Sequence, residues 1–265
     1  MSGPLRLERS GTVARVELAR PEVRNAFNAN LIAALTDTFA TLATEPPETL
    51  RAVVLAGEGS VFCAGADVVW LRAAADMDVA ANEADAGRLA TMLETIDTCP
   101  VPVVARVQGA ALGGGMGLCA VSDIVVSTVD ATFGFTETRL GILPAVIGPY
   151  AVAKIGESQA RALFLPGSRF DAGRAREMGL VHELVADEAA LDRRLAELLD
   201  EILAAGPTAV REAKALLRRL RGQPSAQARA LTVAAIARQR TSPEGQEGLS
   251  AFLDKRDPSW RTRAD

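Results

Sequence analysis

The chain has 265 residues, 49% hydrophobic and 23% charged, with a formal net charge of −4. That is the size and composition of one large globular domain, or one domain with a small appendage, and it excludes disorder as the main state. The acidic balance excludes a global basic field for nucleic acid, and the single histidine, His182, excludes His-rich zinc sites and HExxH metalloproteases.

Residues 6–20 are expected to form two short strands around Ser10 and Gly11, stopped by Pro21. Asn28 or Asn30 can cap a helix whose apolar positions include Leu31, Ile32, Leu35, Phe39 and Leu42. Residues 51–55 read as a buried strand, followed by a glycine-rich loop and a helix beyond Asp67. Residues 82–98 read as a helix, 103–107 as a strand, and the glycine-rich stretch 109–117 leads into another helix. Residues 123–127 read as a strand again. This alternation is an α/β signature, and its paired short strands argue against a simple Rossmann sheet. From Asp187 the pattern becomes helical, over 189–205, 207–221, 225–240 and 243–255, with Pro207 and Pro243 suited to first turns.

Cys63, Cys99 and Cys119 form no CxxC and leave an odd thiol, which fits a reducing cytoplasm rather than a disulfide framework. Residues 1–20 have no apolar core of the signal-peptide kind. No run of about 18 uncharged apolar residues predicts a membrane span. The nearest, 99–121, is broken by Arg106, Gln108 and glycines.

Three glycine-bearing loops hold the candidate chemistry: 62–67, 108–117 and 133–141. Gly113-Gly114-Gly115 opens a helix, where close backbone approach, free N–H groups and the helix dipole favour negative charge; tight helix–strand packing is the plainer alternative. Gly115, Gly117 and Ala120 fit a loose GxGxxA pattern, but they start eight residues after the strand end at Val107, too far for a dinucleotide fingerprint. Glu137 stands among Phe133, Phe135, Leu140 and Ile142, where a carboxyl has a raised pKa and can act as acid or base; a first-turn glutamate near the cap Thr136 is the plainer alternative. Serine hydrolysis has no GxSxG, Cys63 has no histidine near it in sequence, and His182 reads as structural in a short strand over 179–185.

At these loops the chain resembles the enoyl-CoA hydratase/isomerase (crotonase) superfamily, from residues 18–28 through to 251–256. Within it, residues 65–70 and 136–150 look most like bacterial methylglutaconyl-CoA hydratases. The resemblance implies an α/β fold, a spiral of repeated ββα units (residues 1–186) with a helical C-terminal trimerisation region (187–265). It implies an oxyanion hole made by the backbone N–H groups of Ala66 and Gly114, and matches Glu137 to one of two catalytic glutamates. Gly117 stands where the other glutamate would be. A glycine there is expected to open space and remove a charge beside the reacting double bond, favouring a branched or carboxylate-bearing acyl group.

For coenzyme A, the resemblance places Arg24 near the phosphates, the backbone at Ala26, Ala64, Asp67 and Val68 around the adenine, and Lys255 with Phe252 as a contact from a neighbouring subunit. Gly117 and Trp70 fall in the substrate pocket. No metal or redox cofactor is implied, since coenzyme A arrives with the substrate. The partners implied are an acyl-CoA thioester and further copies of the chain, as a homotrimer or a dimer of trimers; neither nucleic acid nor membrane is implied. The expected activity is a hydro-lyase reaction, water adding to an α,β-unsaturated acyl-CoA. A Δ3–Δ2 enoyl-CoA isomerase using Glu137 as a single proton shuttle and a catalytically weak acyl-CoA-binding member are the alternatives.

Overall fold

The computed structural model describes residues 3–261, so the outer ends of the 1–186 and 187–265 division lie outside the described residues. β1 (Leu5–Ser10) and β2 (Val13–Leu18) form an antiparallel hairpin that pairs Leu5 with Leu18. Gly11, at φ +54°, makes its turn in a conformation that L side chains avoid. In β2, Ala14, Val16 and Leu18 alternate inward and are fully buried.

The rest of the large sheet is parallel: β3 (Ala52–Gly57), β4 (Val103–Val107), β6 (Ile124–Thr128) and β9 (Glu183–Val185), in the order β1-β2-β3-β4-β6-β9. β3 and β4 are buried along their whole length; β3 reads as a continuous apolar run, and β4 is broken only by Arg106, whose charge is answered by Glu188 and Asp192. A second sheet of three short strands, β5 (Ala110–Leu112), β7 (Thr132–Gly134) and β8 (Arg169–Asp171), sits beyond the C-terminal edge of the first.

One face of the large sheet packs on α1 (Ala29–Ala43), α3 (Val79–Asp97), α4 (Gly114–Val121) and α5 (Gly148–Phe164). Asn28, not Asn30, caps α1 by accepting the Leu31 N–H at 2.9 Å. The α3 helix begins three residues before the sequence expectation, because Asp78 accepts from the Ala81 N–H and caps it. The opposite face is covered by α7 (Glu188–Ala204), whose Leu191, Leu195 and Leu198 pack on Val54, Ala56, Val104 and Val126. Each such leucine contributes about 1.5–3 kcal/mol of burial, so the first helix of the C-terminal segment is part of the core.

The spiral has a repeated order: a strand of the large sheet, a short β element, then a helix. In the first turn β3 is followed by isolated bridges at Cys63 and Ala66 and then α2 (Val68–Ala75). In the second, β4 is followed by β5 and α4; in the third, β6 by β7 and a 3-10 turn at Glu137–Leu140, ahead of α5. A short α6 (Ala172–Glu177) leads to β9. The remaining helices, α8 (Pro207–Leu220), α9 (Ser225–Thr241) and α10 (Pro243–Leu253), pack mainly on one another. α8 crosses the N-terminal edge of the sheet: Arg211 donates to the Glu45 and Leu50 carbonyls, and Lys214 to the Val101 carbonyl and Asp123.

Candidate active site

Three successive turns of the spiral each deliver one residue at the same place, where the short β element gives way to a helix. They are Ala66, Gly114 and Glu137. The first two are set side by side by backbone pairing. Phe27 N–H donates to the Gly65 carbonyl at 2.7 Å, and Asp67 N–H donates to the Phe27 carbonyl at 2.9 Å, which turns the Ala66 N–H away from that pairing. The Cys63 N–H donates to Ala110, and the Leu112 N–H to Cys63, at 3.1 and 3.0 Å. Gln108 adds donations to the Gly57 and Gly59 carbonyls at 2.7 and 2.8 Å.

Glycines permit the contact. Gly65 has φ +95°, and a Cβ there would stand 2.9 Å from the Leu112 carbonyl oxygen. Gly114 rests on the Phe27 ring, 2.6 Å from where its Cβ would be. Phe27 therefore joins both halves, its backbone aligning Ala66 and its ring seating the start of α4. Neither the Ala66 nor the Gly114 N–H has an intramolecular acceptor among the described residues. The Gly114 N–H also lies at the positive end of the α4 dipole.

Glu137 is the first residue of its 3-10 turn, but Thr136 makes no side-chain cap there. The turn is held from outside: Thr138 Oγ1 donates to the Phe164 carbonyl at 2.8 Å, and Arg139 to Pro166 and Ser168. Its carboxyl leans over Gly113, where a Cβ would be 3.5 Å from Oε1. Oε2 is buried and has no hydrogen-bond partner among the described residues. Burial pushes this carboxyl above its ordinary pKa. The apolar company is uneven: Phe133 and Phe135 are in the core, whereas Leu140 and Ile142 are exposed.

Other candidate groups are occupied elsewhere. Asp67 caps α2 through the Val69 N–H and pairs with Arg20 at 2.7 Å, which holds its pKa below the usual carboxylate value. Asp123 pairs with Lys214 at 2.6 Å, and Glu157 with Arg161 on the surface. The Cys63 thiol is buried and pushed up to about 12, which leaves it protonated and unreactive. His182 directly precedes β9, and its Nδ1 accepts the Val125 N–H at 2.9 Å, a structural role. Among the described residues no three His, Cys, Asp or Glu side chains gather as a metal site, and no helix is long and apolar enough to cross a membrane.

Arg24, Ala26, Ala64, Asp67 and Val68 form one ledge beside Ala66. The Ala64 N–H donates to the Arg24 carbonyl at 2.9 Å, and the Arg20 guanidinium bridges the Ala26 carbonyl and Asp67. Arg24 is exposed with φ +54° and makes no ion pair among the described residues. Much of the ledge's backbone is already paired, including the N–H groups of Ala64 and Asp67; the Ala64 carbonyl and Val68 N–H have no partner among the described residues. Phe252 and Lys255 are not on this ledge. Trp260 ties their segment to the Ala204 carbonyl, and Glu244 of α10 caps α8, so they belong with the opposite edge of the sheet. The strands between the edges span on the order of 17–20 Å.

Gly117 corrects one expectation. It is fully buried, and a Cβ on it would meet Ile147 Cγ2 at 2.5 Å and Leu93 Cδ2 at 3.4 Å. The glycine opens no space, because Ile147 fills it. Trp70, on the first turn of α2, packs against the core, and its buried Nε1 has no partner among the described residues. Three contributors were missed in the sequence. Arg20 answers the charge of Asp67. Buried Asn25, at φ +56°, donates to the Glu58 and Val61 carbonyls and accepts from the Arg20 N–H. Ile147 is the third. Only the buried-carboxylate rule, which demands a cation for Asp67, could have pointed to the first.

Residues 8–263 match the enoyl-CoA hydratase/isomerase family. A Thermus thermophilus protein is 34% identical over 250 residues, covering 94% of this chain and 98% of its own. A mouse enoyl-CoA hydratase domain-containing protein 2 is 32% identical over 253 residues, with 94% and 84% covered. Among solved structures, AtuE of Pseudomonas aeruginosa superposes with a TM-score of 0.94 at 37% identity, covering 98% of this chain and 100% of that one. An enoyl-CoA hydratase from Shewanella pealeana gives 0.92 at 37%, with 97% and 96% covered.

Proposed function

The chain belongs to the enoyl-CoA hydratase/isomerase family, and we propose that within it this enzyme adds water across the double bond of a short α,β-unsaturated acyl-CoA thioester. One observation carries the reading: a buried carboxylate oxygen without a partner, Glu137 Oε2, close to two unpaired backbone N–H groups at Ala66 and Gly114. The two N–H groups donate to the thioester carbonyl oxygen and stabilise the negative charge that develops there. Losing one donor from such a hole costs roughly 10²–10³ in rate. Glu137 takes a proton from water as the new C–O bond forms at the β-carbon, and returns it to the α-carbon as the enolate collapses. A raised pKa suits both halves of that exchange.

Arg24 supplies a free cation for the phosphates of coenzyme A, with the Ala64 carbonyl and Val68 N–H open to the adenine. Lys255 and Phe252 complete the site from a second copy of the chain, in a trimer or a dimer of trimers. With no carboxylate at position 117, an acidic acyl tail meets no like charge there. This favours methylglutaconyl-CoA over a straight-chain enoyl thioester by at least about tenfold in kcat/KM, roughly 1.4 kcal/mol.

A second reading rests on the same absence of a partner carboxylate: one base is enough to move a proton in a Δ3–Δ2 isomerisation. Turnover followed at the conjugated thioester absorbance, with product mass, separates the two. Loss of the absorbance with a product heavier by one water, from crotonyl-CoA or methylglutaconyl-CoA, supports hydration. Appearance of the absorbance from a 3-enoyl-CoA, with no hydration of either, makes the protein an isomerase.

A further inference from the structure

We propose that Ile147 is the stop that limits acyl chain length, closing the reaction site off from a cavity directly behind it. The inference rests on the acyl-CoA reading above and specifies which acyl groups that site admits. α4 provides the ruler. Gly114 begins the helix with its N–H at the reaction site, Gly117 lies three residues on along the same face, and Ala120 three residues further. At Gly117 the missing side chain is replaced from outside by Ile147 Cγ2, with Leu93 closing the other flank. So α3, α4 and the start of α5 meet at one constriction formed by Leu93, Gly117 and Ile147.

One turn further along each of these helices, Asp97, Ala120 and Tyr150 line a cavity of about 390 Å³. Leu217 and Arg218 of α8 line its far side, which is open to solvent, and Arg218 pairs with Asp97 at 3.6 Å. A space of this size is within the range of small-molecule pockets. Ile147 is 3% exposed and β-branched, with little rotamer freedom to swing aside. An acyl tail that passes Gly114 along α4 therefore ends against Ile147 while empty room lies behind it. A short or branched chain fits in front of the stop, and a long straight chain does not.

Calorimetric titration with saturated butanoyl-, hexanoyl-, octanoyl- and decanoyl-CoA tests this without relying on turnover. The wild-type affinity should fall beyond hexanoyl-CoA. Ile147→Ala should improve octanoyl- and decanoyl-CoA relative to butanoyl-CoA by about tenfold or more, the scale at which a pocket reads one or two methylenes. Ile147→Val, which keeps the branch, should retain the wild-type order. Ala120→Leu added to Ile147→Ala refills the opening and should remove the gain. An unchanged length profile in folded Ile147→Ala overturns the proposal while leaving the acyl-CoA reading intact. If Ile147→Ala does not fold, the wild type decides: equal affinity for decanoyl- and butanoyl-CoA overturns the stop, and a steep fall supports it. Failure of every acyl-CoA to bind the wild type overturns the acyl-CoA reading and the stop with it.

Discussion

Glu137 is costly to keep ionised, because its buried Oε2 has lost water without gaining a donor. Its pKa is raised in the fold, so its contribution to stability is whole at low pH and is lost as pH rises through the ordinary carboxylate value toward the raised one. Glu137→Gln should therefore melt a few degrees above wild type near pH 7–8, with the gap closing below about pH 4. Equal melting temperatures at both pH values would mean the carboxyl is solvated. Gly114 offers a second test. Gly114→Ala retains the N–H but drives a methyl into the Phe27 ring, 2.6 Å away. Activity should fall about 10²-fold, the scale of one lost hole donor, and Phe27→Leu in the same chain should restore part of it. No rescue in a folded double variant would remove Phe27 as the seat of α4. The triple glycine, Glu137 and a cap at Asn28 or Asn30 stood out as local signals, while the pairing of Gly114 with Glu137 in one site came only from the family resemblance. The Arg20–Asp67 pair joins residues 47 apart, and the Ile147–Gly117 contact exists only once α4 and α5 pack, so no window of sequence shows either.

At the scale of elements, the longer strands and all four C-terminal helices follow from periodicity and from proline at first turns. The three-residue strands β5, β7 and β8 did not, since three residues cannot show an alternation, and β5 lies inside one glycine-bearing loop while β7 runs into another. Yet these strands set the site, by stopping each spiral turn where Gly114 or Glu137 is needed. The far end of α4 is held by Lys154, which donates to the Cys119 carbonyl at 3.1 Å and to the Ser122 carbonyl. Burial pushes Lys154 down to about 8 from an ordinary 10.5, with Cys119, Asp123, Asp97 and Lys214 facing it. Between those values the unfolded chain binds more protons than the folded one, so this group adds stability as pH rises. The stability of wild type minus Lys154→Met should climb from about pH 8 to 10.5 in chemical denaturation. A flat difference would show that Lys154 titrates as it does in water.

For the whole molecule, α8 and α9 bury no residue within one chain, and α10 buries only Ala251. Leu217, Phe252 and Leu253 are 71%, 80% and 76% exposed. Isolated apolar side chains on a surface are ordinary, but a run of helices without a buried side calls for a covering partner. Light scattering at micromolar concentration should give a trimer or twice that mass. A monomer there would leave Lys255 and Phe252 at the wrong edge of the sheet and with no site to complete. The expected boundary at 187 does not coincide with a change in packing: α7 stays with the core through Leu191, Leu195 and Leu198, and the helices that bury little begin only at α8.

In the hydration proposed for this site, one carboxylate, Glu137, carries the proton. Steady-state turnover of crotonyl-CoA and methylglutaconyl-CoA by wild type and Glu137→Gln, with binding of a saturated acyl-CoA measured alongside, puts that role to the test. The expected result is a fall of about 10²–10⁴ in kcat with binding nearly unchanged. Turnover at the wild-type rate by a folded Glu137→Gln protein would contradict it.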